Sequence, residues 1–286
     1  MKDFGVIVPV YKEDCDCLKG LISDLLKVFG DKSNNFEVII VFDGNSGDYL
    51  GVKEFFNDNS YVKFVAHKFN KGYGSSLKTG IINSSFENIC IIDSDNTYPP
   101  EEFGLLIDEY EDVDMVIGLR DKKGVPFIRR LPKWFLRLFA GFMTNHKIPD
   151  LNSGMRIFKK SVCEIFWKLY PKKFSFTSTL TMGFLTNDYV VKWVPINYYK
   201  RLGKSHINPV KDTLGFISLI GRLALYFNPL RFFMPLSLII GVLAVLRGLR
   251  DYITYQQFGG LTLVLFFMAF QVFFFGLIAE IINRKL

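Results

Sequence analysis

The chain has 286 residues, 49% of them apolar, with 30 phenylalanines and a net charge of +7. This length suits one large domain or one domain with an appendage. The C-terminal quarter is the most apolar part, and a basic chain of this kind favours a membrane surface or phosphate-bearing substrates over nucleic acid. The four cysteines lack the spacing of a zinc site and predict reduced thiols.

Short apolar runs alternate with segments of helical spacing in the first part of the chain. The predicted elements are strand 4–10, helix 17–30, strand 36–43, helix 49–58, strand 61–67, helix 74–85, strand 88–93, helix 99–111 and strand 114–120. This alternation predicts an α/β domain with a mostly parallel sheet. Ligands of such sheets bind at the carboxyl ends of the strands. The polar residues that follow the strands are Tyr11, Glu13, Asp43, Asn70, Lys71, Asp93, Asp95 and Arg120.

Two amphipathic segments follow. In residues 129–143, Arg130, Lys133 and Arg137 fall at helical spacing and aromatic residues fill the other side. This pattern predicts a membrane-surface helix; a core-facing helix with a solvated cationic face is the alternative. Residues 209–228 combine a thin polar stripe with a broad apolar surface, which predicts a second helix at the membrane interface.

Two apolar runs close the chain and predict a transmembrane hairpin over 229–286. The run 258–279 is long enough to span a membrane, whereas 232–246 spans only if its flanks contribute. Arginines and lysines near the hairpin ends favour a cytoplasmic side, while Arg247 and Arg250 in the far loop oppose it. The chain enters a strand directly after Lys2 and Asp3, without an export signal, so residues 1–208 are expected to form a cytoplasmic domain.

The segment "IIDSDN" carries the strongest chemical signal. Asp93 and Asp95 follow a predicted strand one residue apart, so their carboxylates point to the same side of an extended chain. A hard cation, Mg²⁺ or Mn²⁺, would relieve their repulsion and share its oxygen ligands with substrate phosphates. Alternatively, the aspartates end the strand and Pro99 and Pro100 begin a helix.

Two further motifs point to a nucleotide. In "VFDGNSGD", Asp43 is either a turn residue or an acceptor for N–H donors of a nucleotide base. The segment "NKGYGSSLKTG" does not fit the P-loop pattern, and Leu77 replaces the third glycine of G-x-G-x-x-G. A glycine-rich turn that opens a helix, with Lys71 near an anion, fits it better than a dinucleotide site.

The order of seven motifs carries a family resemblance. The motifs are "VPVYKE", "VFDGNSGD", "NKGYGSSLKTG", "IIDSDNTYPP", "GLR", "DLNSGMRIFKK" and "YKRLGKS". The chain resembles the inverting family-2 glycosyltransferases with the GT-A fold, and within them the polyprenyl-phosphate (dolichol-phosphate) hexosyltransferases. The likeness covers roughly residues 3–210, and the membrane segments extend it.

The resemblance implies a role for individual residues. The implied nucleotide-sugar residues are Pro9, Tyr11, Glu13, Asp43, Lys71, Asp93, Ser94 and Lys204. The implied catalytic residues are Asp95, Asp150, Arg120 and Arg201, with Asp93 and Asp95 holding Mg²⁺ or Mn²⁺. Pro149 replaces a basic residue of the family, so the acceptor phosphate is assigned to Ser153 with Arg129, Arg130 or Lys147. Thr97 stands where the family often has a glutamine as third metal ligand.

The implied reaction transfers a hexose from a UDP- or GDP-sugar to polyprenyl or dolichyl phosphate, with inversion. The catalytic domain is expected on the cytoplasmic face of a bacterial or archaeal plasma membrane or of the endoplasmic reticulum. Membrane lipids are the other expected partners, nucleic acid is not, and a homo-oligomer stays open.

Three alternatives compete with this reaction. They are a processive polysaccharide synthase, which usually has a Gln-x-x-Arg-Trp segment absent here, a non-catalytic sugar-nucleotide scaffold, and a lipid-surface binding protein. Two features receive no chemistry: the predicted helix near the acceptor site at 174–184, and His206, interpreted as a polar group near a phosphate.

Overall fold

The computed structural model describes residues 2–44, 49–120, 137–171, 175–199, 221–222 and 225–283. Four predicted site residues, Arg129, Arg130, Arg201 and Lys204, lie outside the described residues, as does His206. The chain divides into two compact units. The first comprises Met1–Arg137 with Lys147–Asn208, and the second comprises Leu138–His146 with Pro209–Leu286.

The first unit is built on a seven-stranded sheet in the order β3-β2-β1-β4-β6-β5-β7. The strands are β1 (Phe4–Val10), β2 (Phe36–Asp43), β3 (Val62–His67), β4 (Asn88–Ile91), β5 (Met115–Arg120), β6 (Arg156–Lys159) and β7 (Val191–Ile196). All neighbouring pairs are parallel except those of β6, which runs antiparallel to β4 and β5. The predicted α/β fold with a mostly parallel sheet is confirmed.

Helices connect the strands of this sheet. They are α1 (Cys15–Lys32), α2 (Leu50–Phe55), α3 (Tyr73–Asn83), α4 (Phe103–Asp108), α5 (Lys160–Ile165) and α6 (Phe176–Thr186), and residues 137–144 are also helical. A 3₁₀ turn at Pro100–Glu102 leads into α4, so the two prolines do begin a helix. Strands β6 and β7 were not predicted: β6 has only four residues, and β7 carries Pro195, which its edge position tolerates.

The sheet core explains where the site lies. Every residue of β1 is buried, as expected for a central parallel strand covered on both faces. Helix α3 packs closely over β1, because a Cβ on Gly80 would lie 2.3 Å from the side chain of Ile7. The start of α3 lies beside the carboxyl end of β2, because the amides of Lys71 and Gly72 donate to Asp43.

The second unit contains a pair of long apolar helices. Helix α7 spans Pro229–Tyr255 and α8 spans Gly260–Asn283. With 27 residues, α7 is roughly 40 Å long, which exceeds a hydrocarbon core of about 30 Å. Residues on both sides of the apolar run 232–246 therefore add to the length of this helix. Both helices have the length and hydropathy of membrane spans, and most of their side chains are exposed, unlike those of a core helix.

The far turn of the hairpin is closed by a carboxylate. Asp251 accepts hydrogen bonds from the Thr262 hydroxyl at 2.7 Å and from the Gly259 amide at 3.2 Å. Arg247, one helical turn earlier, pairs with the same carboxylate at 3.2 Å. These contacts join the end of α7 to the start of α8.

Candidate active site

The strand-end residues gather at one edge of the sheet. Parallel strands β1, β2, β4 and β5 end at this edge and are followed or terminated by Tyr11, Asp43, Asp93 and Arg120. Because β6 is antiparallel, its beginning lies at the same edge and brings the preceding segment 150–154 to it. The topology thus joins the predicted nucleotide, metal and acceptor residues of the described chain.

Asp93 is a deeply placed carboxylate. The Tyr73 hydroxyl donates a hydrogen bond to its Oδ1 at 2.8 Å. A Cβ on Gly154 would lie 2.2 Å from its Oδ2, so no larger residue fits there unless the carboxylate moves. Burial and the neighbouring charge of Asp95 raise the pKa of Asp93 to about 6. A bound cation would relieve the repulsion between the two carboxylates, so the pair is well suited to a cation.

Thr97 orients the second carboxylate of the pair. Its hydroxyl donates to Asp95 Oδ1 at 2.6 Å and its amide donates to the same oxygen at 3.2 Å. The Thr97 side chain is buried, and these bonds form a turn within the "DSDNT" segment. Where the sequence raised the question of a third ligand, the structure shows a residue that fixes Asp95.

Replacing Thr97 by valine is expected to lower the rate of the reaction at this site about tenfold, because one hydrogen bond to a charged group is lost. Thr97→Ser keeps the hydroxyl and is the matched control. Initial rates at a series of Mn²⁺ concentrations would show the loss. Equal rates for the valine and serine variants would contradict the positioning role of Thr97.

The carboxylate pair fits a divalent cation that takes further ligands from a substrate. Among the described residues, no group of three or more histidine, cysteine, aspartate or glutamate side chains could hold a metal alone. Mg²⁺ commonly binds through one or two carboxylates together with substrate phosphates and water. Asp93 and Asp95 are the residues of this chain that would hold it.

Arg120 and Asp150 form a bidentate ion pair. Nε of Arg120 donates to Oδ2 at 2.7 Å, and Nη2 donates to Oδ1 at 2.9 Å. The guanidinium also lies over the Tyr198 ring, 5.4 Å from its centroid. Burial alone would lower the pKa of Arg120, but its bonds and charge interaction with Asp150 outweigh burial and raise it. Arg120 is therefore permanently charged, and its Nη1 is not used in the ion pair with Asp150.

Tyr98 links the carboxylate segment to the 150–154 segment. Its buried hydroxyl accepts a hydrogen bond from the Gly154 amide at 2.7 Å. Its ring meets Tyr198 edge-on at a centroid distance of 5.0 Å. The amide of Tyr199 donates to the Thr97 carbonyl at 2.8 Å, so the chain after β7 covers the same segment.

Arg156 is a functional candidate that sequence reasoning missed. It is fully buried and donates to the carbonyls of Ser153 and Thr177, each at 3.1 Å, and to the Thr181 hydroxyl at 2.9 Å. Burial lowers its pKa to about 10. Through these bonds Arg156 ties Ser153, assigned to the acceptor phosphate, to helix α6.

Helix α6 corresponds to the predicted helix without chemistry. All but its last residue are buried, although several are hydroxyl residues. Thr177 and Thr181 lie four residues apart on the face that meets Arg156, and the Ser178 hydroxyl donates to Asn152. Hydroxyls at helical spacing in a buried helix indicate buried polar partners, and this signal was available in the sequence.

The nucleotide side of the edge is organised around Asp43. This buried carboxylate accepts hydrogen bonds from the amides of Lys71 and Gly72, each at 2.7 Å, and from His67 at 2.8 Å. Gly72 has a φ of 97°, which a residue with a side chain rarely adopts. Asp43 thus holds the glycine-rich turn at Lys71 and Gly72, and its contact with a nucleotide base stays a prediction.

The remaining nucleotide candidates surround the end of β1. The Ser94 hydroxyl donates to the Pro9 carbonyl at 2.7 Å, which fastens the end of β4 to β1. Glu13 accepts a hydrogen bond from the Tyr11 amide, and burial raises the pKa of its carboxyl. The Tyr11 ring is half exposed, and the Lys71 side chain is exposed. These two side chains are accessible to a ligand at this edge.

Comparison with known proteins decides the family. The sequence model described as "Glycosyl transferase family 2" matches residues 5–166, more than half of the chain. This chain belongs to glycosyltransferase family 2. A second sequence model, described as "GtrB C-terminal hairpin", matches residues 228–284, which contain α7 and α8. The family 2 glycosyltransferase therefore carries a hairpin that supports membrane association.

Several relatives are similar in sequence to this family 2 chain, over most of its length or over part of it. Dodecaprenyl-phosphate galacturonate synthase of Rhizobium johnstonii is 21% identical, over 99% of this chain and 88% of that protein. Dolichyl-phosphate beta-glucosyltransferase of Dictyostelium discoideum is 24% identical, over 60% of this chain and 59% of that protein. These relatives are polyprenyl-phosphate sugar transferases.

Solved structures support the fold of this family 2 glycosyltransferase. Glucosyl-3-phosphoglycerate synthase from Mycobacterium tuberculosis, in complex with Mn²⁺, uridine diphosphate and glucosyl-3-phosphoglycerate, has a TM-score of 0.57. The two chains are 15% identical over 78% of this chain and 79% of the other. At this identity the likeness establishes the GT-A fold alone.

Proposed function

We propose that this family 2 glycosyltransferase transfers a hexose from a nucleotide-sugar to a polyprenyl phosphate at the cytoplasmic face of a membrane. The observation that carries the proposal is the single sheet edge where Asp93 and Asp95 lie with Arg120, Asp150 and the Asp43 turn. The apolar hairpin in the same chain and the polyprenyl-phosphate acceptors in the relatives' names support a lipid acceptor.

The transfer step needs little proton chemistry. A phosphate oxygen of the lipid, already anionic at neutral pH, attacks the anomeric carbon of the sugar. The bond between that carbon and the donor phosphate oxygen breaks, and the nucleoside diphosphate leaves with the bonding electrons. Attack opposite the leaving group inverts the anomeric centre. The protein therefore acts by positioning and by stabilising charge.

Different residues of this chain position the acceptor phosphate and neutralise the charge of the leaving diphosphate. Arg120, held by Asp150 and Tyr198, presents a fixed cation to a phosphate. Ser153 and Gly154 are held by Arg156 and Tyr98 on the acceptor side. Asp93 and Asp95 would hold Mg²⁺ or Mn²⁺, which neutralises the charge on the leaving diphosphate when bound.

The test is a transfer assay with the purified full chain in detergent. Radiolabelled UDP- and GDP-sugars are offered with polyprenyl phosphate, with Mn²⁺ and after removal of divalent cations by a chelator. We expect one donor to give an organic-soluble, lipid-linked monosaccharide of inverted configuration in the presence of Mn²⁺. A polymeric product would favour a processive synthase, and absence of turnover with every donor would favour a scaffold.

A further inference from the structure

Three residues form a hydrogen-bonded chain behind the nucleotide side of the site, and two of them, Asp43 and His67, are buried. Asp43 and His67 are paired neighbours at the ends of β2 and β3. The His67 Nδ1 lies 2.8 Å from Asp43 Oδ1, and its Nε2 lies 2.9 Å from the Thr79 hydroxyl of α3. The side chains of His67 and Asp43 are almost completely buried, with 4% and 5% exposed.

The hydrogen-bonding rules fix the direction of this chain. A carboxylate can only accept, so His67 carries a proton on Nδ1 and donates it to Asp43. In the neutral ring, Nε2 then accepts from the hydroxyl of Thr79. Asp43 thus selects the tautomer of His67, and the Thr79 hydroxyl adapts to it by donating to Nε2.

The acceptor capacity of Asp43 is nearly filled by the protein. A carboxylate has about four lone-pair sites, two on each oxygen. Oδ1 accepts from the Lys71 amide and from His67, and Oδ2 accepts from the Gly72 amide. Among the residues that the structure describes, one lone-pair site on Oδ2 therefore has no donor.

We propose that His67 is a positioning residue that supplies the third N–H donor to the Asp43 carboxylate. The carboxylate is then left with one acceptor site for the nucleotide base, and this site selects uracil over guanine. Uracil offers one ring N–H, which a single lone pair satisfies. Guanine offers a ring N–H beside an amino group, a pair of donors that calls for both carboxylate oxygens. This inference rests on the proposed function, in which Asp43 belongs to the nucleoside pocket.

The discriminating measurement is the pair of dissociation constants for UDP and GDP, measured calorimetrically on the full chain in detergent with Mn²⁺. The two ligands share the diphosphate, so their ratio isolates the base. We expect UDP to bind roughly 10- to 100-fold more tightly, because guanine leaves one donor unpaired. GDP binding as tight as UDP binding would overturn the inference while leaving the proposed function in place. If neither nucleotide binds, the proposed function itself fails.

Variants of His67 test whether this residue contributes to the selection of the base. His67→Ala is expected to weaken UDP binding about tenfold and GDP binding much less, so that the ratio shrinks. His67→Asn keeps an N–H near the position of Nδ1 and is expected to restore most of the ratio. A purely structural role would lower the melting temperature of His67→Ala without changing the ratio, and that outcome would overturn the assignment.

Discussion

Asp95→Asn is expected to lower transfer of the sugar to polyprenyl phosphate by about 10³-fold, since a bound cation contributes several kcal/mol of charge stabilisation. The substitution removes one charge of the Asp93 and Asp95 pair. It keeps an oxygen that can accept the hydrogen bonds of Thr97, so the turn is preserved. The measurement is the initial transfer rate at saturating donor and Mn²⁺.

The control for this variant is a carboxylate of the same type away from the sheet edge. Asp24 is exposed on α1, and Asp24→Asn should retain the parent rate. Thermal unfolding of the Asp95 variant in the same detergent should match that of the parent chain, because asparagine keeps an oxygen for both hydrogen bonds from Thr97. A well-folded Asp95→Asn protein with normal turnover would refute the assignment of Asp95 to the metal pair.

The fold and the strand-end position of the candidate site residues were predictable because their signals are local. Apolar runs and helical spacing gave β1 and β2 with correct ends, and the residue after a strand end can be read from the chain. Asp93 and Asp95 were identified in this way. Their partners were not, since Tyr73 and Gly154 approach Asp93 from 20 and 61 positions away (93 − 73 and 154 − 93).

The rest depends on long-range pairing that the sequence does not display. Strand β6 is short and antiparallel, and its place between β4 and β5 brings Arg156 beneath the Ser153 segment. The neighbouring position of Asp43 and His67 follows from the register of β2 and β3. The sequence alone indicates a turn at Asp43 and the end of a strand at His67. Only the assembled sheet turns them into partners.

Asp150→Leu is expected to lower the free energy of unfolding by about 3 kcal/mol, because it leaves the guanidinium of Arg120 largely buried without its carboxylate. The pair is bidentate, and the exposed fractions of the Arg120 and Asp150 side chains are 21% and 6%. Transfer should fall as well, since Arg120 would lose the partner that fixes its orientation. Thermal unfolding and transfer rates of the full chain measure the two effects.

The double variant Arg120→Met with Asp150→Leu separates stability from function. Replacing both members of a buried pair by apolar residues is often neutral for stability, whereas removing one member is not. We therefore expect the double variant to regain most of the melting temperature lost in Asp150→Leu, yet to remain inactive because the phosphate has lost its cation. A double variant as unstable as the single one would show that the pair is required for folding. A double variant that transfers sugar at the parent rate would remove Arg120 from the active site.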